Sequence, residues 1–368
     1  MRIVFTGGGT VGHLSPAIAV AEELIKRDRK TEILFIGREG GNENEIIKKA
    51  GFNIKTVSIC GFERKLSFKN VKNFFKTIKA TKEAEAILRD FRPDVVLGTG
   101  GYVCYPVLKS AINMKIKTAI HESNAYPGLA ARLLAAKCDL ILVNLEGTEK
   151  NFSKKAKRFV VSGNPVREEF FKASRENARK KLGIKPSEIL ITSFGGSGGS
   201  AKLNDTIADC MINYSTKHER IKHIHACGIK YYQNLKKKFP LLTRGCNGCL
   251  IKPYIDDMAT MLKASDVAIT RCGAMTLAEL SATGTPSILI PSPNVTNDHQ
   301  RLNARLLTER GAAIMIDEAK LTEKELTAEL KKLIENAKER QGISDCIKTL
   351  SKKDSRQIIA SELEKLLQ

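Results

Sequence analysis

Three glycine-rich turns hold the residues of this 368-residue chain whose types and spacing best suit chemistry on an anion. Each follows a short apolar run, and glycine lets the backbone N–H groups of such a turn approach a ligand closely. A helix that begins after the turn adds a field that favours negative charge. After the first turn, the proline predicts a helix start near Ser15-Pro16. One such turn can serve only to reverse the chain, but three of them favour phosphate recognition. The turns are Gly7–His13, Gly98–Tyr102 and Gly195–Ser200.

The third turn contains four glycines and two serines, which together offer backbone and hydroxyl donors suited to a diphosphate. The first turn does not continue into the usual dinucleotide fingerprint. Gly37-Arg38 stands where the acidic residue of that motif is expected. The sequence therefore predicts binding of phosphate groups without that fingerprint.

Two groups of histidines and cysteines resemble metal ligands. Cys246 and Cys249 form a CxxC pair, and His223, His225 and Cys227 alternate along a predicted strand, so that they share a face. A structural zinc site usually needs a second pair of ligands at suitable spacing. We therefore expect no metal, and these two groups remain the alternative.

The elements that must position the turns are short β-rich runs alternating with amphipathic stretches, as in doubly wound α/β domains with parallel sheets. One series of seven runs extends from Ile3 to Val161, and a second series of six extends from Ile189 to Ile316. The basic stretch Lys172–Lys185, between the two series, is predicted to be a linker. Function is expected at the carboxyl ends of the strands.

This order of elements predicts two Rossmann-like α/β domains and a final helix. The first domain is placed at 1–163 and the second at 164–345. The last segment, 346–368, has apolar residues at helical spacing and is expected to pack back on the first domain.

The composition restricts the partners without choosing one. The formal charge is +21, with 42% apolar and 27% charged residues, which suits a folded protein that binds nucleic acid, a membrane surface or anionic substrates. No run of 18 apolar residues and no signal peptide is present, so we expect a cytoplasmic protein whose nine cysteines are reduced thiols.

The most basic segment, Phe62–Lys82, has seven Lys or Arg residues and one Glu. Val71, Phe74, Phe75 and Ile78 recur at helical spacing beside a stripe of lysines. This pattern is typical of an amphipathic helix on an anionic membrane, where each basic residue contributes about 1 kcal/mol. Alternatively, the apolar side packs on the sheet and the lysines are only solvated.

The glycine turns and several other segments together carry a family signature. The segments are GGGTVGHLSP (7–16), GTGGYVCYP (98–106), HESNAYPG (121–128), GNPVR (163–167), FGGSGG (194–199), YIDDMA (254–259), RCGAMTLAEL (271–280) and DHQRLNA (298–304). With them the chain resembles the MurG family of bacterial N-acetylglucosaminyltransferases, in the GT-B class, where two Rossmann-like domains face each other across a cleft. It departs from the family at Val11, where a glycine is usual, while His13 stays in register.

The resemblance implies transfer of N-acetylglucosamine from UDP-N-acetylglucosamine to lipid I, undecaprenyl-pyrophosphoryl-N-acetylmuramoyl-pentapeptide. The 4-hydroxyl of the muramoyl sugar would be the acceptor, and a β-1,4 link would form with inversion to give lipid II. The site would lie at the cytoplasmic face of the cell membrane, with other cell-wall synthesis proteins as further partners. No cofactor is implied, and the Asp-x-Asp motif of metal-dependent transferases is absent because Asp256-Asp257 is an adjacent pair.

For the donor, the resemblance implies that the Glu279 carboxylate accepts hydrogen bonds from both ribose hydroxyls. The alternative is that this carboxylate binds no ligand and stabilises the N-terminus of its helix, by about 0.3–1 kcal/mol. Gln300 would hydrogen-bond the hydroxyls of N-acetylglucosamine, with Asn303 and His299 beside it. Arg167 would place a positive charge near the nucleotide; alternatively, it is a surface arginine without a role in binding. The full expected donor set is Thr10, Val11, Gly12, Asn124, Arg167, Ser197, Ile255, Ala274, Met275, Thr276, Leu277, Ala278, Glu279 and Gln300.

For the acceptor, the resemblance points to the first domain. His13 is the expected catalytic residue, because an imidazole can accept a hydroxyl proton near neutral pH; it could instead bind the acceptor diphosphate. His121 is as compatible with a structural histidine as with a ligand. The expected acceptor set is Gly100, Gly101, Tyr102, His121 and Asn124, with Glu122 in support.

Two other functions fit part of the sequence. Another GT-B enzyme, such as a diacylglycerol glucosyltransferase, would share the sugar-nucleotide pocket, but HESNAYPG and DHQRLNA argue against it. A nucleic-acid-binding module would place aromatic residues on a basic face. The chain has no Trp and only 6% aromatic residues, so nucleic acid is not an expected partner.

Overall fold

The computed structural model describes residues 1–9, 11–41, 43–61, 68–152, 156–172, 174–196 and 198–368. At 11, 43, 68–72 and 296 it describes the backbone alone. Two compact units form: Met1–Arg167 with Lys352–Gln368, and Glu168–Ser351. None of the helices in this described part of the chain combines the length and hydropathy that crossing a bilayer requires.

The first unit is built on a seven-stranded parallel sheet with the order β3-β2-β1-β4-β5-β6-β7. Its core lies on both faces of the sheet because residues along a strand alternate between faces. Ile3 and Phe5 join one buried cluster and Val4 joins the other. The strands are β1 (Arg2–Thr6), β2 (Glu32–Arg38), β3 (Asn53–Val57), β4 (Val95–Gly98), β5 (Lys117–Glu122), β6 (Leu140–Val143) and β7 (Phe159–Val161).

In the described residues of the first unit, six α-helices accompany the sheet, and the last of them is close to the C-terminus of the chain. That C-terminal helix packs against the first helix through Ile359, Ala360 and Leu363. The helices are α1 (Val11–Arg27), α2 (Glu43–Lys49), α3 (Phe68–Phe91), α4 (Cys104–Asn113), α5 (Leu129–Leu134) and α16 (Ser355–Lys365).

The second unit has a six-stranded parallel sheet with the order β10-β9-β8-β11-β12-β13. Its strands are β8 (Ile189–Phe194), β9 (Ile221–Ala226), β10 (Cys249–Lys252), β11 (Val267–Thr270), β12 (Ser287–Leu289) and β13 (Ile314–Met315). Its helices are α6 (Glu169–Lys172), α7 (Arg175–Leu182), α8 (Ala201–Asn213), α9 (Ile229–Lys238), α10 (Pro240–Arg244), α11 (Met258–Ala264), α12 (Ala274–Thr283), α13 (His299–Thr308), α14 (Glu323–Glu335) and α15 (Ala337–Thr349).

The linker predicted at Lys172–Lys185 is wrong, because α7 occupies most of it. Ser174 caps this helix by accepting the N–H of Asn177 at 3.1 Å, and Gly183 ends it in the left-handed conformation. The basic side chains that suggested a linker have specific partners. Arg179, for example, donates to Asp266 at 3.0 Å.

The first helix also differs from the expectation, since it begins at Val11 and places Pro16 in its interior. Proline has no N–H, so the carbonyl of Gly12 loses its usual helical donor. The next carbonyl, that of His13, accepts a hydrogen bond from Thr99 Oγ1 at 2.6 Å. His13 therefore lies in the first turn of the helix and not in the loop before it.

Candidate functional site

Each sheet has one point where the chain order reverses, and a glycine turn lies at each of them. In the first unit β1 and β4 are neighbours, so the turns after Thr6 and Gly98 meet at one edge. In the second unit β8 and β11 are neighbours, which brings the turns after Phe194 and Thr270 together. Doubly wound sheets bind ligands at these switch points, and both predicted phosphate-binding regions have this position.

His13 and Gly100 are in direct contact in the first unit. A Cβ atom added to Gly100 would lie 2.5 Å from His13 Nδ1, and the φ angle of Gly100 is +114°. Only glycine suits both the backbone angle and the space. The N–H of Gly8 donates to the Gly100 carbonyl at 3.3 Å, which joins the two turns.

The other two residues of the second turn complete the same group. A Cβ on Gly101 would lie 1.9 Å from the carbonyl oxygen of Gly8, and the ring of Tyr102 lies 3.1 Å from the Cβ position of Gly9. The structure therefore brings the predicted acceptor residues Gly100, Gly101 and Tyr102 together with His13. Thr10 lies outside the described residues, as does the Val11 side chain.

Cys104 supports the group formed by His13 and the second glycine turn, although no role for this cysteine was predicted from the sequence. Its thiol contacts the Thr6 carbonyl at 3.0 Å and the Gly100 carbonyl at 2.9 Å, and it accepts the Gly100 N–H at 3.2 Å. Burial raises the pKa of this thiol to about 12. It therefore remains protonated and can donate to a carbonyl, which fastens the second glycine turn to the end of β1. Its position within the segment GTGGYVCYP is the sequence signal that could have indicated this role.

His121 and Glu122 end β5, and both are buried. His121 Nε2 donates to the Gly163 carbonyl at 3.0 Å, while Nδ1 lies 3.4 Å from the hydroxyl of Ser123. Burial lowers the pKa of His121 to about 4. Both ring nitrogens thus have protein partners, which favours the structural role for this histidine.

Glu122 shapes the loop that carries Asn124. One carboxylate oxygen accepts the backbone and side-chain N–H groups of Asn124, each at 3.0 Å, and the other accepts the Gly128 N–H at 2.8 Å. Burial raises the pKa of Glu122. Asn124 therefore has a fixed position beside the carboxyl end of β5, within the same unit as His13.

In the second unit, the glycine turn Gly195–Ser200 meets a loop from β11. Arg271, for which the sequence predicted no role, lies between them and is buried. Its guanidinium donates to Ser200 Oγ and to the Ile290 carbonyl, and it pairs with Glu318. This arginine joins three loops at the switch point. Ser197 lies outside the described residues.

The start of α12 directs backbone N–H groups towards the same edge of the sheet. Its N-cap is Gly273, and no described side chain caps it, which leaves these donors suited to an anion. Glu279 is half-buried in the second turn of this helix. A charge there lies beyond the first turn, where the helix field is strongest, so stabilisation of the N-terminus is not its main role.

Gln300 and Asn303 on α13 fasten the loops around this position. Gln300 Oε1 accepts the N–H of Cys272 at 3.3 Å and that of Ser292 at 2.8 Å. Asn303 Nδ2 donates to the Cys272 carbonyl at 3.3 Å. The oxygen of Gln300 is thus bonded to the protein, and its amide nitrogen is the end that can donate to a ligand.

The predicted donor residues divide between the two units. Ile255 is buried, and beside it Asp257 caps α11 by accepting the Thr260 N–H at 3.0 Å. Those of the second unit are Ser197, Ile255, the α12 residues Ala274, Met275, Thr276, Leu277, Ala278 and Glu279, and Gln300. Those of the first unit are Thr10, Val11, Gly12, Asn124 and Arg167.

Of the two groups considered as metal ligands, the histidines hydrogen-bond other side chains of the protein. His223 and His225 are fully buried and face serine and asparagine side chains. Cys246 and Cys249 exchange backbone hydrogen bonds across a tight turn. In the described ranges, no three side chains of His, Cys, Asp or Glu are grouped so that they could hold a metal.

Two domain profiles match this chain, and each covers most of the strands of one sheet. The glycosyltransferase family 28 N-terminal domain matches residues 3–143, and the corresponding C-terminal domain matches residues 190–359. The chain belongs to glycosyltransferase family 28. The family and the fold class of two parallel α/β domains predicted from the sequence are thereby confirmed.

Relatives within family 28 cover almost the whole chain. A protein of Caldanaerobacter subterraneus subsp. tengcongensis is 42% identical over 96% of this chain and 97% of its own length. A protein of Clostridioides difficile is 37% identical over 100% of this chain and 89% of its own length. Both are named UDP-N-acetylglucosamine–N-acetylmuramyl-(pentapeptide) pyrophosphoryl-undecaprenol N-acetylglucosamine transferase.

Solved structures share the fold of this family 28 chain. Acinetobacter baumannii MurG matches with a TM-score of 0.73 and 24% identity over 99% of both chains. A UDP-N-acetylglucosamine 2-epimerase from Neisseria meningitidis, bound to UDP-N-acetylglucosamine, matches with a TM-score of 0.68 and 13% identity, over 99% of this chain and 100% of its own. At these identities the likeness concerns the fold.

Proposed function

We propose that this chain transfers N-acetylglucosamine from UDP-N-acetylglucosamine to lipid I and thereby forms lipid II. The observation that carries the proposal is the 42% identity, over 96% of the chain, to a transferase named for these two substrates. All three glycine turns lie at the switch points where such sheets bind ligands. The uracil, ribose and diphosphate of the donor are assigned to the second unit, and the acceptor to the first unit, which also contains five of the predicted donor residues.

In the donor site, the Glu279 carboxylate accepts hydrogen bonds from the two ribose hydroxyls. The diphosphate lies against the glycine turn Gly195–Ser200 and the N-terminus of α12. The uracil contacts the backbone at Ile255. The Gln300 amide nitrogen donates to a hydroxyl of the sugar, because its oxygen already accepts two backbone N–H groups. A site that bonds a hydroxyl in this way rejects an epimer, since its own polar group would be left unpaired.

In the reaction, the muramoyl 4-hydroxyl oxygen attacks C1 of the donor sugar while the bond from C1 to the UDP oxygen breaks. His13 takes the hydroxyl proton, and UDP leaves with the bonding electron pair. The negative charge that develops on the diphosphate is stabilised by donors already fixed in place, namely the glycine-turn N–H groups and the start of α12. Attack from the opposite face converts the α-linked donor into a β-linked product.

The test is acceptor dependence. UDP-N-acetylglucosamine is incubated with the protein in the presence and absence of a short-chain lipid I analogue, and both UDP and the nucleotide sugar are quantified. We expect UDP release only with the acceptor, and no change of the donor without it. Conversion of the donor alone into its C2 epimer would contradict the transferase and favour an epimerase.

We further propose that the first unit binds the cytoplasmic face of the cell membrane through α3. Thr77, Ala80 and Ala84 on one side of this helix are buried. Phe74 and Phe75, on the preceding turn of the same helix, are 57% and 65% exposed. These exposed rings disfavour the alternative in which the apolar side packs on the sheet.

Charge also supports this membrane-facing surface. The exposed ammonium groups of Lys76 and Lys79 lie on the same helix, and residues 1–162 carry 28 Lys or Arg against 16 Asp or Glu, a net +12. Anionic lipids attract such a surface. Of the predicted segment Phe62–Lys82, residues 62–67 lie outside the described part of the chain, as do the side chains of 68–72.

Replacing Phe74, Phe75 and Ile78 together with serine is expected to weaken binding to phosphatidylglycerol vesicles by at least about tenfold, because each apolar side chain contributes roughly 1.5–3 kcal/mol when buried. Cosedimentation at increasing salt measures the loss. The control is the double variant Ile229→Ser/Leu241→Ser, which removes side chains that are 73% and 66% exposed on the second unit. Equal losses in the two variants would contradict a membrane surface on α3.

A further inference from the structure

Five buried polar side chains of the second unit form one hydrogen-bonded chain, here called the histidine network. None of them is part of the donor site proposed above. Every member is at most 1% exposed, so each must find its hydrogen-bond partners within the protein. The members are Ser193, Asn204, Ser215, His223 and His225.

The direction of the network is set where it ends, at the backbone carbonyl of Cys227. This oxygen can only accept, and Asn204 Nδ2 donates to it at 2.9 Å. Asn204 Oδ1 therefore faces His225 Nε2 at 3.1 Å and accepts its proton. His225 Nδ1 is then unprotonated and accepts the Ser193 hydroxyl at 2.9 Å. The Ser193 carbonyl lies 3.1 Å from the same Nδ1, but a proton there would leave Nε2 and Asn204 Oδ1 facing each other as two acceptors.

The other half of the network follows from the same order. Because Ser193 donates to His225, its oxygen accepts from His223 Nε2 at 2.9 Å. His223 Nδ1 in turn accepts the Ser215 hydroxyl at 3.0 Å. Both histidines are neutral, with burial lowering the pKa of His223 to about 3 and that of His225 to about 4. All five side chains thus adopt a single donor–acceptor order.

The carbonyl at the end of the network borders the glycine turn. A Cβ atom added to Gly199 would lie 2.2 Å from the Cys227 oxygen, and one added to Gly228 would lie 3.0 Å from Gly199 Cα. The N–H of Asn204 also donates to the Ser200 carbonyl at 2.8 Å. Asn204 therefore joins the network both to the loop beneath the turn and to the first residues of α8.

We propose that the histidine network fixes the position of the glycine turn Gly195–Ser200, and that His225 and Asn204 are positioning residues for the donor diphosphate. The consequence for donor affinity rests on the proposed function, which assigns the diphosphate to this turn. A displaced turn moves its N–H groups away from the phosphate oxygens without touching the sugar or the acceptor. Its effect therefore appears in donor binding.

The test compares His225→Phe, which breaks the network, with His225→Gln, which can still donate to Asn204. We expect His225→Phe to raise the KM for UDP-N-acetylglucosamine about tenfold, equivalent to about 1.4 kcal/mol, with kcat and the acceptor KM nearly unchanged. His225→Gln should recover much of the loss. Amide hydrogen exchange of residues 195–203 should become faster in His225→Phe, and this measurement requires no substrate.

Met211→Ala is the matched control, because Met211 is fully buried on α8 and lies outside the network. It should lower the melting temperature without raising the donor KM or the exchange of the turn. If His225→Phe does not fold, Ser215→Ala removes only the first bond and should raise the donor KM about two- to threefold. Unchanged exchange at 195–203 in the folded variant would overturn the inference, whereas a wild-type protein without transferase activity would overturn the proposed function alone.

Discussion

Replacing His13 with alanine is expected to lower kcat by about 10²- to 10⁴-fold, the usual contribution of a positioned general base. His13 lies in the first turn of α1 with Nδ1 against Gly100, so its ring is held beside the acceptor turn. The KM for UDP-N-acetylglucosamine should change little, because the uracil, ribose and diphosphate of the donor are assigned to the other unit. Initial rates at saturating concentrations of both substrates measure the effect.

His13→Gln separates the two roles considered for this histidine. Glutamine can still hydrogen-bond the acceptor but cannot take its proton near neutral pH. If His13 is the base, His13→Gln should be as slow as His13→Ala and should lose the acidic limb of the kcat–pH profile. Near-normal kcat with a raised acceptor KM would assign His13 to acceptor binding instead. His218→Gln, which changes an exposed histidine of the second unit, should leave kcat unchanged.

Replacing Glu279 with alanine is expected to weaken binding of UDP-N-acetylglucosamine and of UDP by about 10²-fold, because hydrogen bonds to a charged group contribute about 1.5–3 kcal/mol each. The carboxylate is half-buried on α12, the helix whose start is proposed to bind the diphosphate. Calorimetry with UDP measures the change without catalysis. At saturating donor, kcat should recover most of its value.

Donors that lack one ribose hydroxyl make this prediction specific. The wild-type protein should bind the 2′-deoxy and 3′-deoxy donors more weakly than the ribose donor, whereas Glu279→Ala should bind all three equally. Glu309→Ala, which removes an exposed carboxylate at the end of α13, serves as the control. If Glu279→Ala still distinguishes the three donors, the ribose contact belongs to another residue.

The sequence predicted the sheets and the turns well because both depend on local signals. Strands buried on both faces are continuous apolar runs, so Val95–Gly98 and Val267–Thr270 are visible without a structure. Glycines directly after such runs predict the turns at the switch points. The grouping of His13 with Gly100 follows from β1 and β4 being neighbours, which the chain order alone does not state.

The errors arose where a distant partner decides the local structure. Lys172–Lys185 reads as a linker until Asp266 supplies a partner for Arg179 and Ser174 caps the helix. Pro16 suggested a helix start, but Thr99 bonds a carbonyl of the helix that contains it. These partners lie far away along the chain, and no sequence period reveals them.

The supporting residues were missed for a related reason. Cys104, Arg271 and Asn204 act through backbone carbonyls and N–H groups, and a carbonyl has the same chemistry at every residue. The alternation of His223 and His225 was noticed, but it was interpreted as a set of metal ligands. The serine and asparagine partners that give them a different role come from β8 and α8.

The product of the complete reaction tests the proposed function most directly. Isotope-labelled UDP-N-acetylglucosamine and a short-chain lipid I analogue are incubated with the protein and no added metal, and the lipid product is analysed by mass spectrometry and NMR. We expect one N-acetylglucosamine joined to the 4-position of the muramoyl sugar in a β link. Transfer only from UDP-glucose, or no labelled lipid at all, would contradict the assignment of this chain as the enzyme that forms lipid II.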